Sequence, residues 1–578
     1  MARTGRSPRL RDLTELVAGV GIVLLLLFIS GFVRLRADLT SEERYTLKET
    51  TREVIAGLDD RVYVKVYLHG DLPADLRRLS EAARELLDEM RVHGPDKLDY
   101  AFIDPSADPD EKLRREVYAT LEKQGLQYSS IRIREKDGHS EKIVFPGALV
   151  TYKGRTVAVQ LLKTQLRTPD ADMVNRSINN LEFELGSAIR QLTRKERPRL
   201  AFLEGHGELE PIQVRDVATL LGEHYDVSRV RIDGRLSALS DRLEGARHRT
   251  NRWDLLIVAK PDSVFPEKDL YIIDQFVMNG GKVLWLLDAM NANLDSLRRN
   301  QFSMATAMDL GVDQLLFAYG VRINNDLLLD RSCAPIEIFT TPYGNQRKME
   351  RFPWYFEPVL IPQSAHPIVN NIDPVHTRFV SSMDTIGTDS IRKTVLLTTS
   401  PYNRVLRNPV RVALNIVELQ LGLDKKGTPA PVAVLLEGPF TSAFAGRLTE
   451  RFLTEGDPQY RAQGRPTSQL VISDGDVIEN RVDPAKGMYY MLGYDRYANA
   501  KIYGNRELLV NAVNYLLDDR SLISLRSRAI TLRQLDPVRS VGERALWQVV
   551  NLAVPSAVVI LAGLLFHALR KRRYTRTG

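Results

Sequence analysis

One cysteine, Cys333, is all the thiol chemistry in 578 residues. It excludes an internal disulfide, a CxxC redox centre and a thiolate zinc site within one chain. No GxxxxGK followed by Ser or Thr occurs, so the chain lacks a phosphate loop and does not read as an ATPase. HExxH and GxSxG are also missing, which removes the common zinc-protease and serine-hydrolase signatures. Nor is there a broad excess of one charge. Lys+Arg number 80 against 73 Asp+Glu, for +7. That excess sits in two short tails, residues 1–12 with Arg3, Arg6, Arg9 and Arg11, and residues 570–578 with Arg570, Lys571, Arg572, Arg573 and Arg576. The body between them is close to neutral, which argues against nucleic acid as a partner. At 44% hydrophobic residues the chain is too apolar to be disordered, and its length leaves room for about three globular units.

Each basic tail abuts an apolar run. Residues 14–33 carry only Glu15 as a charge, and residues 545–569 carry no Asp, Glu, Lys or Arg. A helix needs ~20 such residues to cross ~30 Å of hydrocarbon, so both runs qualify as membrane spans. Trp547 suits the interface, Pro555 is tolerated inside a membrane helix, and His567 reads as a polar residue near the exit. Arg34 and Arg36 stand where a signal peptide would carry small residues for cleavage, which argues for an anchor over a cleaved leader. With the positive charges at the chain ends, the positive-inside rule places both termini in the cytoplasm. The body then lies outside a bacterial plasma membrane, with membrane lipid as a partner of the anchored chain. A lone thiol is acceptable there, since it has no internal partner.

Residues 37–195 form the first expected extracytoplasmic unit, after a tail and span over 1–36. Thr40, Ser41 and Glu43 suggest a helix start. Strands are expected at 62–68, 98–103, 130–134, 142–152 and 156–162, with Lys153-Gly154 as a hairpin turn, and helices at 74–92, 109–124 and 173–192. This order matches a thioredoxin-like sandwich without its cysteines, so binding or scaffolding is favoured over redox chemistry.

Residues 196–525 form the second unit. WDLLIVA at 253–259 and KVLWLLD at 282–288 are continuous apolar runs, as in parallel strands buried on both faces. With strands at 199–203 and 225–232 and helices at 214–224 and 266–279, they predict a doubly wound α/β sheet. An irregular stretch at about 290–425 follows, with a helix expected at 302–319 and strands at 323–330 and 393–400; its length marks a functional insertion. Strands at 430–437 and 468–472 and a helix at 507–517 resume the same domain. Residues 526–578 hold a connector, the second span and the basic tail.

Two turns carry the candidate ligand-binding residues. Glu204-Gly205-His206-Gly207-Glu208 follows a strand at the carboxyl edge of the sheet, where ligands bind in such folds. Glu204, His206 and Glu208 could bind a metal or exchange protons; the alternative is a tight glycine turn capping the next helix. Ser473-Asp474-Gly475-Asp476, with Asn480, ends another strand. Asp474 and Asp476 suit a hard cation; the alternative is an Asx-type turn. Cys333 lies in a loop with Pro335 two residues on, which fits a buried structural thiol better than a nucleophile. No residue is assigned a catalytic role, and no metal or other cofactor is required.

LTSEERYTL, VYVKVYLHGDLP, ARELLDEM and YAFIDP, followed by FLEGHGE, GGKVLWLLD, LLLDRSCAPI, VISDGDVIEN, GYDRYANAKIYGNRELLVNAVNYLLDD and LISLRSR, together resemble the gliding-motility-type ABC transporter auxiliary proteins, the GldG family. The resemblance runs from Leu39 to Arg528. It implies an auxiliary, substrate-binding-type subunit working beside a separately encoded permease and cytoplasmic ATPase. It also implies a glutamine-amidotransferase-like fold for the second unit. Where active amidotransferases carry a nucleophilic cysteine, this chain reads Leu286-Leu287-Asp288-Ala289, so the likeness extends to fold and not to catalysis. Relatives occur outside gliding bacteria, so motility does not transfer with the family; a link to motility or to cell-envelope processes stays open. Copy number also stays open, a dimer within the complex being one arrangement. The expectation is thus a non-enzymatic transporter subunit. Its rivals are a structural envelope scaffold, with 290–425 as the contact surface, and a membrane-tethered hydrolase built on the two turns.

Overall fold

The computed structural model describes residues 17–22, 25, 47–135, 138–162, 171–194, 196–241, 249–298, 300, 302–340, 348–364, 366–370, 372–387, 390–418, 422–446, 460–517 and 542–575. It is a mixed α/β protein with many sheets, divided into residues 1–528 and a separate C-terminal unit.

The first sheet begins with α1 (Glu49–Ala56), β1 (Val62–Val66), α2 (Ala74–His93), β2 (Leu98–Phe102) and α3 (Glu111–Lys123). The hairpin β3 (Ser129–Glu135) and β4 (Gly138–Val144) precedes β5 (Gly147–Tyr152), β6 (Arg155–Gln160) and α4 (Ala171–Thr193). The four-stranded order is β2-β1-β5-β6, with β1 parallel to β2 and antiparallel to β5. Val62, Val64 and Val66 alternate onto one face with Leu76 and Leu79 of α2 and Leu185 and Ile189 of α4. Leu121 of α3 packs with Leu149 on a smaller cluster. Lys153 (φ 46°) and Gly154 (φ 78°) make the expected β5–β6 turn. The strand expected over 142–152 is two strands. Phe145-Pro146 interrupts it, because proline has no N–H for a ladder. The helix-start residues Thr40 and Ser41 lie outside the described residues.

The second sheet has seven strands. It opens with β7 (Arg199–Glu204), α5 (Arg215–Gly222), β8 (Asp226–Arg231), β9 (Leu255–Ala259), α6 (Glu267–Met278) and β10 (Lys282–Leu286). The inserted segment supplies β11 (Phe302–Ala307), α7 (Asp313–Tyr319), β12 (Asp326–Asp330), β13 (Cys333–Thr340) and β14 (Lys348–Leu360). Then come β15 (Arg392–Thr398), β16 (Val410–Ala413), β17 (Pro431–Thr441), β18 (Gln463–Ile472) and α8 (Asn505–Leu517). The order is β15-β17-β18-β10-β9-β7-β8. The run from β18 to β8 is parallel, and β17 and β15 add antiparallel strands at one end. Leu200, Phe202, Leu255 and Ile257 face α5 and α8, while Ala201, Leu203, Leu256 and Val258 face α6 and α7. Burial on both faces is what the uninterrupted LLIVA and KVLWL runs require.

The inserted segment is more ordered than its sequence suggests. Residues 302–319 do not form one helix: β11 pairs antiparallel with β16, and only α7 is helical, ending at Gly320 in a left-handed conformation (φ 103°). A partner strand a hundred residues away overrides local helix preference. β15 is an edge strand of the main sheet, so the sheet resumes before residue 425. A separate β-rich core holds Leu327, Leu329, Trp354, Phe356 and Phe379. Cys333 begins β13, and burial with Asp330 and Glu357 nearby pushes its thiol up to about 12, away from nucleophilic behaviour.

α9 (Arg544–Thr575) forms the C-terminal unit and contains a stretch, Arg544–Leu569, long and apolar enough to cross a membrane. Its leucines and valines are exposed, Leu552 at 74%. Of the first apolar run only 17–22 and 25 are described, as helix; the rest lies outside the described residues.

Asp274 in α6 fastens three segments. It accepts from Tyr319 Oη (3.0 Å), Ser442 Oγ (2.6 Å), Ala443 N (2.9 Å) and Gln275 Nε2 (3.0 Å), and is fully buried. Asp274→Ala orphans these donors at about 1–3 kcal/mol each before relaxation. Thermal melting of the full chain is expected to show the main domain unfolding about 6–12 °C lower, for about 3 kcal/mol net. An unchanged melt would show that the donors find other partners.

Candidate functional site

In an open parallel sheet the carboxyl ends of the strands face ligands, most of all where the strand order reverses. Here β7 leads to β8 on one side, and the chain then crosses to β9, β10 and β18 on the other, so the reversal lies between β7 and β9. The residues just beyond those strand ends are the 204–208 turn, Lys260, Asp288 and the 473–476 turn.

The 204–208 turn is closed on itself. Gly205 (φ 118°) and Gly207 (φ 75°) take left-handed conformations, and a Cβ on Gly207 would lie 1.6 Å from the Asp262 carboxylate. The turn folds His206 inward. Its Nδ1 meets Glu208 Oε1 at 3.1 Å, its Nε2 meets Asp269 Oδ2 at 2.9 Å, and its ring stacks on Phe265 at 3.9 Å. Burial opposes charge on His206, but hydrogen bonds to Glu208 and Asp269 prevail and raise its pKa. Both ring nitrogens are engaged and the residue is 3% exposed, so no lone pair is left for a ligand. Glu204 points elsewhere, to the Arg229 guanidinium. The structure therefore joins His206 to Glu208, separates both from Glu204, and adds Asp269.

Asp474 and Asp476 enter a different cluster. Gly475 N donates to Asp288 Oδ1 (2.6 Å), and Asp474 accepts from Asp476 N (2.7 Å) and Arg378 N (2.7 Å). Lys260 Nζ stands 2.6 Å from Asp476 Oδ1, 3.6 Å from Glu479 Oε2 and 3.8 Å from Asp288 Oδ2. The inserted segment contributes Arg378, 3.6 Å from Asp476, and Glu357, which pairs with His376 at 3.1 Å. Asn480 ties the turn to the start of α5 through Asp216 N and Ile212 O.

Carboxylates outnumber cations here, and the protonation states split accordingly. Burial and the neighbouring Asp476 push Asp288 up to about 7. Burial, again with Asp476, pushes Asp474 well above the usual range. Burial also acts upward on Asp476, but Lys260 and Arg378 prevail and hold it below. Lys260 keeps its proton more tightly than a free lysine, because its carboxylates outweigh the burial that disfavours charge. Its backbone is left-handed (φ 52°), uncommon for a non-glycine residue and frequent where a side chain is held for a purpose. Asp288, Asp474 and Asp476 each offer an oxygen within 4.8 Å of the others, the spacing a hard divalent cation takes. Lys260 supplies positive charge at that place.

Both turns stand out in the sequence, whereas Lys260, Asp269, Asp288, Arg378, Glu357 and Glu479 join the site only in the folded chain. Lys260 and Asp288 had a readable signal, each being a charged residue just past a buried apolar strand.

The fold and this edge define a mixed α/β protein, built on a four-stranded and a seven-stranded sheet beside several smaller ones, in which the rim of the larger sheet is cross-linked by its own charges, with a separate apolar helix at its C-terminus. The chain belongs to a family described as an ABC-type uncharacterized transport system, whose model matches residues 197–512, more than half of its length. This agrees with the auxiliary-protein resemblance and ties the chain to a transport system. With the apolar C-terminal helix it also implies association with a membrane. A domain of unknown function (DUF7088) matches residues 41–151. No curated protein matches. Among solved structures, a chain titled "mmIFT52 N-terminal domain" is similar at 11% identity, with 56% of this chain and 98% of that chain covered and a TM-score of 0.31.

Lys260→Met leaves the buried carboxylates without their central cation and is expected to cost about 3–5 kcal/mol in urea unfolding of the full chain. Adding Asp476→Asn should recover part of that loss; strict additivity of the two changes would show that the pair is not coupled. Asp288 has a raised folded pKa, so its contribution is complete below about 3.8 and is lost as pH rises through about 7. Asp288→Asn keeps an acceptor for Gly475. Its melting temperature should gain on the unsubstituted chain across that window and hold level above it; a constant difference would refute the assignment.

Proposed function

We propose that this chain is a non-catalytic, extracytoplasmic auxiliary subunit of the substrate-binding type in an ABC transporter, acting beside a permease and a separate cytoplasmic ATPase. The family match across the seven-stranded domain carries the reading. Two membrane spans, both termini in the cytoplasm and a periplasmic body follow from the charge distribution of the tails and the apolar runs beside them. The first unit is read as thioredoxin-like, supported by the order β2-β1-β5-β6 with one parallel and two antiparallel pairings. The second is read as amidotransferase-like, supported by its parallel sheet with helices on both faces. Where a nucleophile would follow β10, Asp288 is instead hydrogen-bonded into the charge cluster. His206, the best acid–base candidate in the sequence, is held by two carboxylates, which speaks against the hydrolase.

The scaffold reading has one observation of its own. Phe339 and Met349 are paired across β13 and β14 and are 65% and 50% exposed, an apolar pair suited to a protein contact. A scaffold and a transporter subunit differ in what they hold. Affinity purification of the full chain from its native membrane in mild detergent should recover a multi-span permease and a Walker-type ATPase in fixed ratio, while the purified chain alone turns over no ATP. Recovery of envelope structural proteins without either transporter component would sink the proposal, and a link to motility or envelope processes would be sought among the co-purifying proteins.

A further inference from the structure

A cleft of about 840 Å³ lies against β8 and α5, along the first residues of β7 and β8 and apart from the charge cluster at the rim. The size falls in the ~300–1,000 Å³ range of small-molecule sites. Its floor is apolar, with Phe202, Ala218, Tyr225 and Val227, and the Tyr225 hydroxyl is tied to Asn514 at 2.7 Å. Its wall is basic. Arg197, Arg199, Arg215 and Arg229 line it, against Glu196 and Asp226.

The arginines are not equivalent. Arg229 is tied back: it pairs with Glu204, donates to Leu209 O at 2.9 Å and lies 5.8 Å from the Phe202 ring centroid. Arg197, Arg199 and Arg215 are exposed, and among the described residues none has a carboxylate within ion-pairing distance. Some other exposed arginines of this domain, Arg231, Arg235, Arg252 and Arg322, pair with acidic residues, while Arg411 and Arg481 lie over aromatic rings; what distinguishes the cleft is that its arginines gather on one wall. Arg199 acts at longer range on Asp241, but guanidiniums without a close ion pair, gathered along one concave wall, concentrate positive potential over a low-dielectric floor. The guanidinium fork matches phosphate oxygens two at a time. A phosphate group carries about −1.5 to −2 charge at neutral pH, more than one carboxylate offers. The cleft is too large for an inorganic ion alone, and its apolar floor calls for an organic body.

We propose that this cleft binds a phosphate-bearing organic molecule, with Arg199 and Arg215 holding the phosphate and Phe202 and Val227 contacting the remainder. The same chemistry comes from two sources, a free phosphorylated compound or the headgroup of an anionic lipid. The inference stands on the cleft and does not rest on the transporter reading.

The test uses the full chain in neutral phosphatidylcholine nanodiscs, titrated by calorimetry with phenyl phosphate, a soluble organic phosphate, and, separately, with a soluble short-chain phosphatidylglycerol. The Arg199→Glu/Arg215→Glu variant is compared with Lys425→Glu, a reversal on an exposed loop, and thermal melting confirms that both are folded. Binding is expected to weaken with added salt, to fall about tenfold or more for each guanidinium lost, and to survive Lys425→Glu. Response to phenyl phosphate, lost in the double variant, supports a free ligand. Response to the lipid alone, lost in the double variant, supports a headgroup. No binding of either probe, or binding indifferent to the double reversal, overturns the proposal.

Discussion

Lys260 holds the rim of the main sheet together. A buried carboxylate without a counter-charge costs several kcal/mol, and here several converge after the ends of β10 and β18. One ammonium, with Arg378 behind it, makes their proximity tolerable. The demands of that position shape its surroundings. Lys260 adopts a left-handed backbone to aim its side chain, and residue 475 is glycine because a Cβ there would meet Lys260 at 2.4 Å. The cluster also reaches beyond the sheet, since Arg378 belongs to the inserted segment and donates its backbone N–H to Asp474. Insertion and sheet are thus joined by charge as well as by packing.

The neighbouring lock works differently. His206 is clasped by Glu208 and Asp269 and backed by Phe265, and its own carbonyl accepts from Asp262 and Ser263. Its hydrogen bonds are directed and its ring is shielded from water, so the loops after β7 and β9 are held in fixed register. Together the two locks leave the rim, the usual ligand side of such a sheet, occupied by internal contacts. A cleft of small-molecule size lies along β8 and α5 instead.

Much of this fold is written in local pattern. Alternation in VYVKV gives β1, the unbroken LLIVA and KVLWL give β9 and β10, and Lys153-Gly154 gives a hairpin. These follow from nearest-neighbour geometry. The misread segments fail for two reasons. At 142–152 a proline splits what looks like one apolar run, and at 302–307 the deciding partner is β16, which no local window contains. The site divides in the same way. Both turns stand out because glycine and acidic residues cluster in sequence. Lys260, Asp269 and Arg378 are single charged residues whose meaning arises only when the chain brings them alongside those turns. A charge directly after a buried strand, as at Ala259-Lys260, is the signal that locates Lys260 and Asp288 in advance, and Asp269 and Arg378 carry no such signal.

The order of strands in the main sheet has a temporal side. β10 sits at its centre, yet its neighbour β18 arrives much later, with Trp285 pairing Val471. At ~5–20 residues per second, synthesis of the intervening chain takes roughly 10–40 s. Throughout that interval the strands β8-β7-β9-β10 can assemble, but β10 presents an apolar edge with unsatisfied amides, the kind of surface that captures stray strands. The nascent chain is therefore most vulnerable to aggregation while its inserted segment is being made, and the length of that segment sets how long the edge must be kept covered.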